Sequence, residues 1–164
     1  MTEPDDSHDL VALRERLIAA RNGYAALPLS DDRRTGPTDP STGESWHRGN
    51  VLGHVNEMLP YWTVQIRRAT AGSGTMGRDQ EGAAQRRQGI DQGDAAAEEQ
   101  LRLAVDEGIE GVVELLALMK PDDLERIVVY HSRAGDRDAR VGELLQILIV
   151  GHLEEHLAQL AGLG

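Results

Sequence analysis

The sequence predicts an all-α fold, a four-helix bundle with long connections and short extra helices, and three observations carry that expectation. Hydrophobic residues make up 40% of the chain and are mostly Leu, Ala, Val and Ile, while Phe is absent and aromatics reach only 3%. Such a composition suits packed helices, because β cores draw on β-branched and aromatic side chains. Long stretches repeat apolar residues at intervals of three and four, the period of one helix face. The length, 164 residues, is that of one domain with a real core, so residues 1–164 are read as a single unit.

Residues 1–6 read as a disordered polar tail. Ser7 is placed to cap a first helix from about His8 to Leu27, with Leu10, Leu13, Leu17, Ala20, Tyr24 and Leu27 at helical spacing and Pro28 ending it. Ser30 to Gly43 is polar, contains Pro37 and Pro40 and has no periodicity; it is read as a loop that covers something. Thr42, Ser45 and Trp46 introduce a second helix running to about Ala71, with Val51, Val55, Met58 or Leu59, Trp62, Ile66 and Ala69 inward. Pro60 removes one backbone donor, which predicts a kink; two shorter helices are the alternative, but the periodicity survives across the proline.

Residues 71–93, rich in Gly, Arg and Gln, read as a long mobile or functional connection with a short helix around Gln80 to Gln88. Asp94 then caps a long helix from Ala95 to Met119 that presents Leu101, Val105, Ile109, Val112, Val113, Leu116 and Met119 to the core, and Pro121 closes it. Ile127-Val128-Val129-Tyr130 has the look of extended structure, and Ala134-Gly135-Asp136-Arg137 of a turn. The last long helix is expected from about Ala139 to Ala161.

Composition excludes several functions. Seventeen basic against 28 acidic residues give a net charge of −11, which repels nucleic acid and anionic membrane alike. No stretch approaches the roughly 18 apolar residues of a membrane helix, and Met1 to Asp9 lacks the apolar run of a signal peptide. The expected location is the cytoplasm. Cysteine is absent, so disulfides, thiolate metal ligands and a protein-borne thiol nucleophile are excluded. Thiol chemistry would have to use a thiol that arrives from outside.

The candidate site lies among the six histidines. His152 and His156 are four apart in a helical segment, one turn above each other, the spacing at which two imidazoles reach one metal ion. Val141, Leu145, Leu148, His152, His156 and Gln159 fall on one stripe, so the pair continues a core-facing line. His54 sits in another apolar helical segment, and both Gly53-His54 and Gly151-His152 put glycine before histidine. Glycine inside a helix costs about 1 kcal/mol against alanine, and close approach of two backbones is a reason to tolerate it. His8 and His47 are expected at the surface, and His131 in a connection.

Trp46…Asn50-Val51-Leu52-Gly53-His54-Val55-Asn56-Glu57…Tyr61-Trp62, followed by Gly135…Val141-Gly142-Glu143-Leu144-Leu145…His152-Leu153-Glu154-Glu155-His156-Leu157-Ala158-Gln159-Leu160, resembles the DinB/YfiT-like superfamily of metal-dependent four-helix proteins, roughly from Trp46 to Leu160. In that family a histidine of the second helix and two of the last bind a divalent ion. Carried over by residue, the resemblance implies His54, His152 and His156 as metal ligands. It further implies a homodimer, a small-molecule substrate, and thiol-dependent transferase or isomerase chemistry with mycothiol, bacillithiol or glutathione as cosubstrate. The second, C-terminal domain that some such enzymes carry is not evident here.

Three neutral ligands leave the 2+ charge of Zn, Ni, Fe or Mn uncompensated and a coordination position open, the catalytic pattern. Glu57, three residues after His54, is the candidate general base or orienter of a histidine, and Glu155 is weighed similarly. Tyr61 is a pocket or core aromatic. Arg78, Arg86 and Arg87 either clamp an anionic substrate or are solvated, the second being favoured. The functional expectation is a metal-dependent transferase or hydrolase. The alternatives are a stress-response protein holding a metal or ligand without turnover, and a structural helical dimer with a vestigial site.

Overall fold

The computed structural model describes residues 9–163 and is mostly helical. Its elements are α1 (Leu10–Ala26), α2 (Arg48–Thr70), β1 (Thr75–Gly77), α3 (Gln80–Ala95), α4 (Glu98–Leu118), α5 (Pro121–Leu124), β2 (Ile127–Ser132), β3 (Gly135–Arg140), α6 (Val141–Leu145), a π-helical turn (Gln146–Val150) and α7 (Gly151–Leu163). Helix α1 packs on α4 and α7, and α2 packs on α4 and α7, so these four long helices surround one core. Leu13, Leu17, Val51, Val55, Leu59, Ile66, Val105, Ile109, Ile149 and Leu153 are all buried within it. The readings of residues 1–6 as a tail, of Ser7 as a cap and of His8 as a surface residue fall outside the described residues. Helix α1 is capped instead by Asp9, whose side chain accepts from the Val11 amide.

Helix α2 is a single helix with Pro60 inside it. Its N-cap is His47: Nδ1 accepts from the Gly49 amide at 3.0 Å, and Nε2 meets Asp94 Oδ1 at 2.9 Å. The imidazole so engaged is not at the surface, its side chain being only 12% exposed. Asp94 correspondingly caps no helix. It lies near the end of α3, where Asn50 Nδ2 also donates to it at 2.8 Å, and α4 begins after Ala97 without a side-chain cap.

The stretch read as a long connection carries β1 and the whole of α3. What hid the helix is what positions it: Gly82, Gly89 and Gly93 are buried in α3 and lower its intrinsic helix propensity. Against α2, however, they let two backbones meet. A Cβ on Gly49 or Gly53 would collide with the Gly93 or Gly89 carbonyl, and one on Gly93 with that of Gly49. The close approach anticipated at Gly53 therefore exists, but toward α3. Gly151 faces only the Gln146 carbonyl of its own chain segment, at 3.0 Å.

Extended structure was legible at Ile127 to Tyr130 but runs further. Strand β2 pairs antiparallel with β3, from Ile127↔Arg140 to Ser132↔Gly135, and parallel with β1. Ala139 thus belongs to a strand, and the last helix starts at Val141. The turn is tighter than expected, with Gly135 at φ +117°, a conformation that suits glycine.

A buried ion pair braces the helix ends. Arg48 and Glu98 have side chains 3% and 5% exposed and are joined at 2.7 Å and 3.2 Å, and Arg48 also donates to the Pro28 and Leu160 carbonyls. Four segments meet at one guanidinium. We expect G53A and G93A each to lower unfolding free energy by about 2 kcal/mol or more through overpacking, whereas G111A in α4, where an added Cβ meets nothing within 4 Å, raises it by up to about 1 kcal/mol. Urea denaturation of the three variants checks this ordering, and a tolerated G93A would contradict the close crossing.

Candidate metal centre

His54 projects from the middle of α2 and is 3% exposed; His156 projects from α7 and is 9% exposed, with His152 one turn earlier and half-buried. The chain brings all three together. Ring centroids are separated by 5.2 Å for His54–His152, 5.0 Å for His54–His156 and 4.5 Å for His152–His156. One ligand atom from each lies within 4.8 Å of the others.

The π-helical turn immediately before α7 contributes to this aim. A π turn holds more residues than an α turn and so shifts the helix face that follows it. Leu148, Ile149 and Val150 are buried there, and the stripe that follows carries Leu153, His156 and Leu160 into the core.

Hydrogen bonding defines the chemistry. Ring atom Nδ1 of His156 lies 2.8 Å from Gln159 Oε1, an oxygen that only accepts, so Nδ1 carries the proton and Nε2 is a bare lone pair. That Nε2 is buried and has no hydrogen-bond partner, and neither has Nδ1 of His54. Leaving such an atom unpaired costs about 1–3 kcal/mol, and the Nε2 of His156 is the one that an ion shared with the Nε2 atoms of His54 and His152 would satisfy. The Nε2 atoms of His54 and His152 face each other at 3.4 Å, long for a hydrogen bond. It is close to the separation of about 3.3–3.4 Å between two imidazole nitrogens on a tetrahedral ion with bonds of about 2.0–2.1 Å. The donor set therefore fits a divalent cation.

Burial holds the imidazoles neutral. It pushes His54 down to about 2 and His152 to about 3, with the neighbouring imidazoles and Arg86 and Arg78 adding to the effect; His156 is also lowered by burial, the Gln159 bond opposing. Neutral imidazole is the form that binds metal.

The surroundings come from three segments. The Trp46 ring, at the end of the Leu27–His47 connection, lies 5.2 Å from the His54 ring and 5.9 Å from that of His156. Arg86 of α3 sits over Trp46 with its Cζ 5.5 Å from the ring centroid and pairs with both oxygens of Glu44. Arg78 pairs with both oxygens of Glu57 at 2.7 and 2.9 Å and lies 4.0 Å over the Tyr61 ring.

Of the residues singled out in the sequence, His54, His152 and His156 are juxtaposed. Glu57 is given to Arg78 and makes no hydrogen bond to an imidazole. Glu155 is exposed, while Tyr61 is half-buried and donates to the Gly77 carbonyl at 2.8 Å. Arg78 and Arg86 are held in ion pairs instead of being solvated, and Arg87 is exposed. His131 pairs with Asp136 across the hairpin. Sequence reasoning did not assign Gln159, Trp46 or Glu44. The His-x-x-Gln spacing was the available signal for the first; the other two are positioned by a loop, which has no periodicity to read.

A mostly helical chain with a buried trihistidine cluster is the class of protein that this geometry defines. The family model of the DinB superfamily matches residues 10–160, and the chain belongs to that superfamily. No curated protein and no solved structure matches it. No helix among the described residues is long and apolar enough to cross a membrane.

The depressed His54 sets a pH dependence of the metal-free protein. Between its folded value of about 2 and the ordinary value of about 6.5, the unfolded chain binds the extra proton. Stability is therefore full above about pH 6.5 and falls on acidification. In the presence of EDTA, we expect the loss between pH 7 and pH 5 to be smaller in H54N than in wild type by about 2 kcal/mol, measured by urea denaturation. Equal losses would contradict a neutral, desolvated His54.

Proposed function

We propose that the chain is a divalent-metal-dependent enzyme acting on a small molecule, with His54, His152 and His156 as the ligands and transfer of a low-molecular-weight thiol to an electrophile as its reaction. Hydrolysis is the alternative use of the same centre. The observation that carries this reading is the buried, unpartnered Nε2 of His156, whose other nitrogen is committed to Gln159, beside the facing nitrogens of His54 and His152. Three neutral donors leave coordination positions free. A divalent ion held there supplies Lewis acidity, which acidifies a thiol or water and furnishes a nucleophile near neutral pH.

The chain's own residues supply the rest. Gln159 fixes the tautomer and orientation of His156, Trp46 closes one side of the cluster against bulk water, and burial keeps the imidazoles unprotonated so that no proton competes for them. With no cysteine in the chain, the thiol is a cosubstrate. Glu57 acts in this reading through Arg78, both of its carboxylate oxygens being occupied. Zn²⁺, Ni²⁺, Fe²⁺ and Mn²⁺ all accept imidazole together with water, and elemental analysis of the purified protein assigns the ion.

Protein purified without nickel resin is expected to hold about one equivalent of divalent metal. H152A and H156A should lose it while their far-ultraviolet circular dichroism stays nearly unchanged, and Q159A should weaken affinity by about 10–100-fold. Conjugation of monochlorobimane with low-molecular-weight thiols should be abolished in H54A. Wild-type metal content that remains negligible after divalent ions are supplied would overturn the proposal.

A further inference from the structure

A carboxylate of the chain's own occupies a guanidinium beside the histidine cluster. Arg86 reaches out from α3 with its two terminal nitrogens on Glu44 Oε1 and Oε2, at 3.2 and 3.0 Å. Glu44 belongs to the Leu27–His47 connection and stands two residues before Trp46. Trp46 in turn lies against His54 and His156, and Arg86 covers its ring. Carboxylate, guanidinium, indole and imidazoles thus form one continuous stack, and the Arg86 charge is felt at all three imidazoles.

The two arginines near the site differ in how firmly they are held. Arg78 and Glu57 have side chains 15% and 12% exposed, and Arg78 is further tied to the Gly82 carbonyl at 2.8 Å and stacked on Tyr61. That pair is a fixed part of the frame. Arg86 and Glu44 are 20% and 34% exposed, and Glu44 comes from a loop. A half-exposed pair of this kind contributes little to stability, so its carboxylate can be exchanged. A planar guanidinium fork is also the group best matched to a carboxylate from solution.

The charge balance points the same way. The chain carries −11 overall, a field that discourages anions, yet it places Arg86 beside three uncharged donors.

We propose that Glu44 stands in for the thiol cosubstrate: this centre takes a small thiol that carries a carboxylate, which displaces Glu44 from Arg86 while the sulfur reaches the histidine cluster. Arg86 is then a specificity-determining residue. The inference rests on the metal-thiol reading above and deepens it by naming the class of thiol.

The test uses full-length protein loaded with Co²⁺ and titrates it with 3-mercaptopropionate or its uncharged analogue 3-mercapto-1-propanol, following the absorption spectrum to obtain Kd. Wild type should prefer the carboxylate-bearing thiol. E44Q, which removes the internal competitor, should tighten mercaptopropionate several-fold, and R86Q should weaken it about tenfold. Neither variant should shift the Kd of mercaptopropanol by more than about twofold. A merely structural Glu44–Arg86 pair would instead make both substitutions act in the same direction on both thiols. Equal wild-type affinities, or an E44Q variant whose mercaptopropionate Kd is unchanged, overturns the proposal and leaves the thiol reading standing. A cobalt-loaded protein whose spectrum neither thiol alters overturns both.

Discussion

A polar atom carried into an apolar interior must find a partner, and in this chain three imidazoles are carried there together. His156 spends one nitrogen on Gln159 and leaves the other buried and bare, and His54 likewise has a buried ring nitrogen without a partner. Two unpaired atoms are a substantial part of the small net stability of a domain. Their rings are neutral and 5.0 Å apart between centroids, on helices far apart in sequence. The rest of the molecule is intelligible as the frame that keeps them so placed.

That frame has two rigid joints and one softer cover. The glycines of α2 and α3 let two backbones touch, which fixes the helix that carries Arg86 relative to the helix that carries His54. Arg48 and Glu98, buried together, join the first residue of α2 to the first residue of α4 and tie both to the carbonyls of Pro28 and Leu160. Replacing one partner of such a pair strands a charge in the interior, so this joint is as demanding of identity as the histidines are. The cover is the Leu27–His47 connection, which lays Trp46 on the cluster through exposed and half-exposed contacts. Rigid support behind a site and a looser segment in front of it is the arrangement a small-molecule centre needs, since the ligands must stay fixed while the substrate enters.

The long amphipathic helices were legible because burial imposes a period: Leu13, Leu17, Ala20 and Tyr24, or Val105, Ile109 and Val112, need only be read in register. His54, His152 and His156 were legible for the same reason, each standing in an apolar helical stretch. Helix α3 was largely hidden because its packing face is made of glycine, which has no hydrophobic signal and a poor helix propensity. Strand β3, Gly135-Asp136-Arg137-Asp138-Ala139-Arg140, is almost wholly exposed and therefore has no apolar alternation to detect. The π turn adds a phase shift that no local residue type announces. Glu44 and Arg86 meet across 42 positions of sequence, and nothing in either neighbourhood marks the other.

The central claim is that the three imidazoles share one ion. X-ray absorption at the edge of the bound metal addresses it directly, because imidazole rings give a characteristic multiple-scattering pattern and the shell distance is read without a crystal. The account predicts about three imidazole nitrogens near 2.0–2.1 Å for zinc, completed by a light exchangeable ligand that a small thiol replaces with a longer metal–sulfur distance. A shell of oxygen atoms with no imidazole scattering, unchanged by substitution of His54, would contradict it.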